Sequence, residues 1–320
     1  MQVRHLPGPL VPILKCIAIV HRLDAWESFH KIECQQLDLI TGANLGKNAM
    51  LAFRILTSSG KIYLEYVVNK VKEELEKPET EGGGPEKVGF NEEGVYDAAD
   101  YRTIYTLVGN TKHRGVGDLF KRALMAAFML KILELTPFFF NGGSDPRNVK
   151  LQDKVLVGGI LLTHLQNLPC NAHEIAEIEV PAGSVKDSVQ SEIGAASFGT
   201  LSLINHSCDP NVVRHYYSSL AVVTSVRTIL AGEEILDNYG YHYAVMAREE
   251  RQRKLSSQYY FNCACQSCNG QWSTYNSLST AAVPVPGTPP DQAKAIIAEY
   301  NKSSKQYKKA FDLVLAGKFR

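Results

Sequence analysis

The sequence predicts an α+β protein in which a helix-rich half precedes a strand-rich half. Apolar residues recur at steps of three and four through much of the stretch from 44 to 168, as they do along the buried face of a helix. Between residues 175 and 226, shorter apolar runs alternate with polar residues, which is typical of strands. A cysteine motif at residues 263–268 follows the strands. Helices and strands that are segregated along a chain indicate the α+β class.

Composition excludes several classes of protein. The chain has 320 residues, enough for two modest domains or one elaborate domain. It is 45% hydrophobic and 21% charged, with a formal net charge of +1. This charge gives no overall attraction to nucleic acid or to an anionic membrane, so we expect neither as a partner. Lys15 interrupts the apolar run near the N-terminus, which argues against a signal peptide.

Four of the seven cysteines have the spacing of a metal site. Cys263, Cys265 and Cys268 form a C-x-C-x2-C motif, and Cys208 lies upstream of it. Four thiolates suit one tetrahedral zinc ion. Cysteines that bind metal rather than form disulfides indicate a reducing compartment, and we expect a cytoplasmic and nuclear protein.

Three motifs carry a resemblance to a known family. They are Asn205-His206-Ser207-Cys208-x-Pro210-Asn211, then Gly232-Glu233-Glu234-Ile235 followed by Tyr239-Gly240, and then the trailing cysteines. In this order they resemble the SET-domain protein-lysine methyltransferases. The run from 248 to 261 is similar to the SMYD family (SET plus MYND zinc finger), and most similar to its subfamily numbered four. The resemblance implies SET-domain β-sheets with a helical insert, a post-SET zinc site and the start of an α-helical C-terminal region.

The resemblance also implies a division of the chain. The expected segments are an atypical N-terminus (1–24), a remnant of the MYND finger (25–40), a helical insert region (41–168), a SET core (169–242), a post-SET zinc segment (243–270), and a linker with C-terminal helices (271–320). Within them, the periodicity predicts helices over 44–77, 97–135 and 155–168, and strands at 175–180 and 221–226. Residues 78–94 and 141–153 are predicted as loops, and 185–198 as a linker.

The expected MYND finger is incomplete. His30 and Cys34 have the spacing of one helical turn, but Ala18 and Arg22 stand where the family has cysteines. Zinc needs four ligands, so we favour a helix without metal here and leave zinc binding by this pair open. In addition, no Gly-rich motif precedes Trp26 as it does in the family. We therefore expect a partial chain that binds the methyl donor weakly or not at all.

The resemblance implies an S-adenosylmethionine-dependent protein-lysine N-methyltransferase. The expected partner is a protein substrate with a lysine side chain, histone or non-histone, and the expected state is a monomer. Transfer of a methyl from a sulfonium to an amine requires positioning and a neutral amine. Free lysine has a pKa of about 10.4, and a dry aromatic channel lowers it. Tyr239 is the candidate catalytic residue, and Tyr259 and Phe261 are further candidate walls of the channel.

Several residues are implied to bind the methyl donor. Asn205 and His206 resemble the residues that hold its adenosine part, Phe261 resembles the ring that stacks on adenine, and Ser202 is a candidate polar wall. For Asn171, two alternatives stay open: a hydrogen bond to the methyl donor, or a side chain that satisfies its own backbone. Tyr239 also lies on the implied donor site.

Other residues have simpler interpretations. Glu233 and Glu234 could be paired carboxylates for acid–base chemistry, but we favour a turn with solvated acids. His164 is interpreted as a packed or helix-surface histidine rather than a catalyst. The competing hypothesis for the whole chain is a non-catalytic, zinc-stabilised scaffold for protein interaction, derived from a SET domain.

Overall fold

A computed structural model describes residues 23–76, 88–91, 93–139, 148–180, 188–217 and 220–278, together with 298–299, 302–303 and 305. The expected atypical N-terminus, most of both predicted loops and most of the linker with C-terminal helices lie outside the described residues. Within the described ranges, helices precede strands as predicted, and the α+β class is confirmed.

The helices of the first half enclose the main core. Their bounds are α1 Leu37–Gly42, α2 Lys47–Ser59, α3 Lys61–Glu76, α4 Arg102–Tyr105, α5 Val116–Glu134 and α6 Leu151–Asn171. The predicted helical stretch 44–77 is thus two helices. They are separated by Gly60, whose φ of +76° is a left-handed conformation that glycine adopts without strain.

The core forms where α2, α5 and α6 pack together. Its fully buried side chains include Phe53 and Leu56 of α2, Leu133 of α5, and Leu161 and Leu165 of α6. Each such side chain contributes about 1.5–3 kcal/mol through removal of apolar surface from water. The core therefore holds α6 in place, and the last residues of α6 reach the candidate site described below.

The predicted apolar stripe on α5 selected the wrong face. We expected Leu119, Ala123, Leu124, Ala127, Phe128 and Ile132 to face the core. Of these, Leu124 is 61% exposed and Phe128 39% exposed in the described part of the chain, and only Ile132 is buried. The buried face carries Ala126, Met129, Ile132 and Leu133. Periodicity could not decide between the two faces because α5 is apolar around most of its circumference.

Helix α6 continues beyond its predicted end, through Pro169. Proline has no N–H, so the carbonyl of Leu165 loses its partner within the helix. Arg122 of α5 donates to that carbonyl, and Arg114 Nη2 donates to the Gln166 carbonyl at 2.6 Å. Two guanidinium groups thus satisfy the end of the helix, which the sequence pattern alone did not indicate.

The strands form three two-stranded sheets in the described residues. They pair β1 His173–Glu179 with β2 Val189–Ala196 and β4 Val212–Tyr217 with β5 Leu220–Ser225, both antiparallel, and β3 Asn205–His206 with β6 Leu236–Asp237, parallel. The strands predicted near 175 and at 221–226 are confirmed.

Two expectations about β1 and β2 are wrong. Residues 189–196 of the predicted linker form β2, which has weak apolar alternation and owes its conformation to its pairing with β1. The predicted half-buried face of β1 is also wrong, since Ile178 is 73% exposed and Val180 45% exposed in the described part of the chain. Strand propensity here reflects cross-strand pairing more than burial.

The segment that contains His30 and Cys34 is held by an acidic side chain. It consists of short helical turns at Trp26–His30, Lys31–Glu33 and Cys34–Gln36. Glu33 is fully buried, 2.7 Å from Arg54 Nη2, and accepts a hydrogen bond from Thr57 at 2.7 Å. These contacts dock the segment on α2, while Cys34 is exposed. None of the described helices has the length and apolarity required to cross a bilayer.

His164 is a packed histidine, as predicted, and is fully buried. Its Nδ1 lies 3.4 Å from the side-chain oxygen Oδ1 of Asn167, which can only accept, so Nδ1 carries the proton. Nε2 then accepts from the Tyr101 hydroxyl at 2.5 Å. Burial lowers the pKa of His164 from 6.5 to about 4, although its hydrogen bond to Asn167 raises it.

This pKa predicts an acid-sensitive core. The unfolded chain binds a proton at His164 below pH 6.5, whereas the folded chain does so only below about pH 4. The free energy of unfolding therefore falls as the pH falls through this window, by roughly 1 kcal/mol from this group between about pH 7.5 and 5.5.

Urea unfolding across that pH range measures this change in the free energy of unfolding. His164→Gln should flatten the dependence by that amount, and the exposed His215→Gln is the matched control that keeps it. Equal pH dependence in wild type and His164→Gln would contradict the assignment.

Candidate functional site

A cavity of about 720 Å³ lies between the end of α6, the start of β1, strand β4 and the segment after β6. Its volume falls within the range of small-molecule sites. The walls include four of the predicted site residues: Asn171, Ser202, Tyr239 and Tyr259. Residues that are distant in sequence are therefore brought to one concave surface by the packing of α6 against the strands.

Tyr239 follows β6 and forms an aromatic wall of the cavity with Tyr259. Their ring centroids are 4.9 Å apart, and the Tyr239 hydroxyl donates to the Ile204 carbonyl at 2.8 Å. Burial raises the pKa of both tyrosine hydroxyls. Both therefore stay protonated at neutral pH and can act as hydrogen-bond donors.

The buried side chain of Asn211 holds strand β6, which Tyr239 follows. Asn211 Nδ2 donates to the Glu234 carbonyl at 2.8 Å, and its Oδ1 accepts from the Leu236 N–H at 2.7 Å. One amide thus closes the loop before β6 and fixes that strand beside β3. The Asn-His-Ser-Cys-x-Pro-Asn motif contained Asn211, but sequence reasoning gave it no role.

An ion pair that sequence reasoning missed lies in the cavity wall. Arg214 Nε is 2.9 Å from Asp237 Oδ2, and Arg214 Nη2 donates to the Asn238 carbonyl at 3.0 Å. Asp237 is only 4% exposed, and burial raises the pKa of its carboxyl although Arg214 opposes the shift. The only sequence signal was the position of Asp237 two residues before Tyr239.

The polar candidates at the cavity are already engaged by protein groups. The Asn171 amide donates to the carbonyls of Asn167 at 2.7 Å and Val108 at 3.0 Å. Asn171 is the last residue of α6, and these bonds resemble the alternative in which its side chain satisfies nearby backbone. The Ser202 hydroxyl donates to the Phe198 carbonyl at 2.8 Å. The roles of Asn171 and Ser202 toward a methyl donor stay predictions.

The acidic pair outside the cavity has structural partners. Glu233 pairs with Arg227 at 2.5 Å, and Glu234 accepts from the Asn205 amide at 2.7 Å. Hydrogen bonds from Arg227 hold the pKa of the Glu233 carboxyl at about 2, so it is ionised and not a proton donor at neutral pH. These contacts support the interpretation of a turn with acids rather than a pair for acid–base chemistry.

Asn205, His206 and Phe261 do not line the cavity. His206 Nδ1 accepts from the Tyr239 N–H at 3.0 Å, so the other ring nitrogen carries the proton in the neutral tautomer and faces Cys208 Sγ at 3.4 Å. The Phe261 ring lies 6.1 Å from His206 and 6.4 Å from Tyr259. His206 therefore connects the backbone of Tyr239 to the cysteine cluster, which sequence reasoning did not foresee.

The four predicted cysteines converge. The sulfurs of Cys208, Cys263, Cys265 and Cys268 all lie within 4.8 Å of one another. Cys208 Sγ is 3.6 Å from Cys268 Sγ and 3.9 Å from Cys263 Sγ. The hydrogen bond from Cys208 lowers the pKa of the Cys263 thiol and raises that of Cys208, because the pair shares a proton. Four soft sulfur donors that lie this close together, three of them on buried cysteines, fit a structural zinc ion.

Helix α7, Arg248–Tyr259, braces the segment that carries three of these cysteines. Gln252 donates to the Cys263 carbonyl at 2.6 Å and accepts from the Cys263 N–H at 2.9 Å. Arg248 Nε donates to the Cys268 carbonyl at 2.9 Å. The spacing of Arg248 and Gln252 by one helical turn is the signal that could have revealed this face.

The Asn211 contacts predict a specific loss of stability. Asn211→Asp keeps the shape but removes the N–H donor and turns a carboxylate toward the Glu234 carbonyl. We expect the free energy of unfolding to fall by about 2–3 kcal/mol, measured by urea unfolding at neutral pH. Asn262→Asp, at an exposed position, is the matched control and should change it by less than about 0.5 kcal/mol. A similar effect of both substitutions would show that the Asn211 amide does not hold β6.

Comparison with known proteins agrees with this geometry. The SET domain family matches residues 40–240. Protein-lysine N-methyltransferase SMYD4 of Homo sapiens is 29% identical over 279 residues, covering 76% of this chain and 34% of that protein. The SMYD4 protein of Danio rerio is 26% identical over 292 residues, covering 77% of this chain and 38% of that protein. N-lysine methyltransferase SMYD2 of Homo sapiens is 36% identical over 93 residues, covering 29% of this chain and 21% of that protein.

The chain spans about a third of the length of the SMYD4 relatives that it matches. The resemblance to SET-domain methyltransferases that the three motifs carry, and the narrower resemblance to the SMYD family that the run from 248 to 261 carries, are confirmed. Because the SET domain match covers well over half of the sequence, this chain belongs to the SET domain family.

Proposed function

We propose that the chain is an S-adenosylmethionine-dependent protein-lysine N-methyltransferase. The observation that carries the proposal is the aromatic wall of the cavity, where the ring centroids of Tyr239 and Tyr259 lie 4.9 Å apart beside the parallel pair of β3 and β6. The names of the SMYD4 and SMYD2 relatives support the same reaction class. The substrate in this proposal is a protein lysine, histone or non-histone.

Bound S-adenosylmethionine supplies a methyl group on a sulfonium, which is a good leaving group. The protein then needs to align a lysine amine and keep it neutral. The protonated Tyr239 hydroxyl is the group that we assign beside the reacting amine. Its hydrogen is donated to the Ile204 carbonyl, so its oxygen orients the amine by accepting a hydrogen bond, without ionising. Tyr259 forms the facing wall and excludes water, which disfavours the charged ammonium.

The charges near the cavity also favour a neutral amine. A carboxylate beside the lysine would stabilise its ammonium form, and Asp237 lies in the wall. Its pairing with Arg214 compensates that charge at 2.9 Å. The ion pair therefore gives the wall polarity without a free negative charge, and it anchors the strand that leads to Tyr239.

The donor-binding residues in this proposal are Asn171, Ser202, Asn205, His206, Tyr239 and Phe261. Asn171, Ser202 and Tyr239 lie on the cavity, so they are candidates for direct contact. The side chains of Asn205 and His206 have protein partners, which leaves their backbone groups as the candidates for recognition of adenosine. Phe261 lies against His206 and is the candidate for stacking on adenine.

Zinc completes the proposal. Cys208, Cys263, Cys265 and Cys268 would hold one zinc ion that keeps the segment after α7 against the SET core. We also propose the domain division 25–40, 41–168, 169–242 and 243–270 for the MYND remnant, insert, core and post-SET segment. A monomer in the cytoplasm and nucleus, without nucleic acid or membrane as partner, is the accompanying expectation.

The competing proposal is a zinc-stabilised scaffold for protein interaction without catalysis. The observation that favours it is the engagement of the Asn171, Ser202 and Asn205 side chains by other protein groups. Binding of the methyl donor separates the two proposals, because the scaffold requires none. Calorimetry with S-adenosylmethionine on the zinc-loaded protein therefore belongs in the same experiment as the test of Tyr239.

Replacement of Tyr239 by phenylalanine tests the enzyme proposal. The change removes a donor hydroxyl and keeps the ring that packs on Tyr259. We expect the methyl-transfer rate to fall on the order of 100-fold, because one positioned hydrogen-bonding group at a reacting centre contributes that much. The affinity for S-adenosylmethionine should change less than about threefold, since ring and backbone stay in place.

The matched control is Tyr275→Phe, at a tyrosine that is 74% exposed. It should leave both rate and affinity unchanged. Heat of donor binding without any methyl transfer by the wild type would reject catalysis by this chain, and no heat at all would favour the scaffold. Equal losses of rate and affinity in Tyr239→Phe would remove Tyr239 from the catalytic role.

The cysteine cluster predicts one zinc ion per chain, measurable by elemental analysis. Cys268→Ser removes a ligand whose sulfur is 3.6 Å from that of Cys208. We expect zinc affinity to fall by more than about 100-fold and the melting temperature to drop, since metal binding is folding free energy. The matched control is Cys34→Ser, at an exposed cysteine outside the cluster, which should keep the zinc. Zinc retained by Cys268→Ser but lost by Cys34→Ser would place the metal elsewhere.

A further inference from the structure

Arg251 of α7 is the bulkiest of the fully buried side chains. A guanidinium stays charged at any physiological pH, and a buried charge without compensation is strongly unfavourable. In the described part of the chain, no carboxylate forms an ion pair with Arg251. Some other group of negative character must therefore compensate its charge.

The contacts of Arg251 lead to the cysteine cluster. Its Nη1 donates to the Met246 carbonyl at 2.5 Å, and its Nη2 donates to Cys268 Sγ at 3.6 Å. Cys208 Sγ lies 3.6 Å from the Cys268 sulfur that Arg251 contacts, so the guanidinium also interacts electrostatically with Cys208. Arg251 thus faces two of the four sulfurs from inside the protein, where water does not screen the interaction.

A zinc ion with four thiolate ligands carries a net charge of about −2, and burying that charge also has a cost. A guanidinium that donates an N–H group to one of the sulfurs and lies close to a second one halves the charge and withdraws electron density from the ligands. We propose that Arg251 is the counter-charge of the zinc site and positions its ligands Cys208 and Cys268. The inference rests on the zinc site proposed above, but it does not depend on methyl transfer.

The position of Arg251 connects the metal to the cavity. Arg251, Leu255 and Tyr259 follow one another at four-residue steps, so they lie on one face of α7. Leu255 is fully buried between them, in the same apolar cluster as the cysteines. Zinc bound at one end of this face therefore fixes the register of the helix whose other end presents Tyr259 to the cavity.

The test compares zinc affinity, by chelator competition, in the wild type and in Arg251→Met, Arg251→Lys and Arg253→Met. Met keeps much of the side-chain volume and removes the charge, and Arg253 is the matched control because it is an exposed arginine on the same helix. We expect Arg251→Met to weaken zinc binding by about 10–100-fold, the usual effect of losing a group that contacts metal ligands. The zinc affinity of Arg251→Lys should lie between those of Arg251→Met and the wild type, because lysine keeps the charge but not the paired N–H groups of the guanidinium. The zinc affinity of Arg253→Met should match that of the wild type.

A second readout separates this role from simple packing. In cobalt-substituted protein, loss of N–H donors to the sulfurs raises the energy of their lone pairs. The sulfur-to-cobalt charge-transfer band of Arg251→Lys and Arg251→Met should therefore move to longer wavelength, while that of Arg253→Met stays in place. Should Arg251→Met fail to fold, Arg251→Lys decides on both measurements.

Two results would reject the proposed role of Arg251, and a third would reject the zinc site itself. Zinc affinity within about twofold of wild type, with an unshifted cobalt band, in the Arg251 variant that folds would reject the counter-charge role. Weakened affinity with an unshifted band would reduce Arg251 to a packing residue and also reject the proposal. Absence of stoichiometric zinc in the wild type would instead reject the zinc site, independently of any result on Arg251.

Discussion

The convergence of Cys208 with the cysteines after α7 is the constraint on which the site depends. Cys208 directly follows the β3 segment, whereas the other three sulfurs come from a short stretch after the helix, yet all four lie within 4.8 Å. The segment after α7 contributes few apolar side chains of its own, so hydrophobic packing alone holds it weakly. The cysteine cluster is therefore its main connection to the rest of the chain. With the cysteines in place, α7 is held along its length, and Tyr259 at its end faces Tyr239.

Helix α7 also links this constraint to the helical first half of the chain. Just beyond its end, the Tyr260 hydroxyl lies 3.2 Å from Arg114 Nη1, and the same guanidinium donates to the end of α6 through the Gln166 carbonyl. One buried arginine thus joins the helix that closes one side of the cavity to the helix that closes the other. A displacement of either helix therefore moves the aromatic wall, since packed elements shift together rather than deform.

The chemistry of the cavity depends on polar groups that are kept uncharged or paired. Burial holds the tyrosine hydroxyls protonated, and the Asp237 carboxyl is compensated by Arg214. The paired Asp237 carboxyl can therefore orient a polar reactant while it stabilises an ammonium less than an unpaired carboxylate would. The same arrangement suits an amine acceptor better than it suits acid–base catalysis, and the ionised Glu233 lies outside the cavity with Arg227 as its partner.

The fold class, the family and the cysteine cluster could be predicted from the amino-acid sequence, because helical periodicity and short motifs with fixed spacing are local properties of the chain. The same motifs named Tyr239 and Tyr259 as candidate residues, but not their contact. The folded chain was needed to reveal which face of α5 is buried, that residues 189–196 form a strand, that Arg214 and Asp237 pair in the cavity wall, and that Arg251 contacts Cys268. These features depend on partners that are distant in sequence: a strand needs its neighbour, and a buried charge needs its counter-charge, and neither partner is visible in a local pattern.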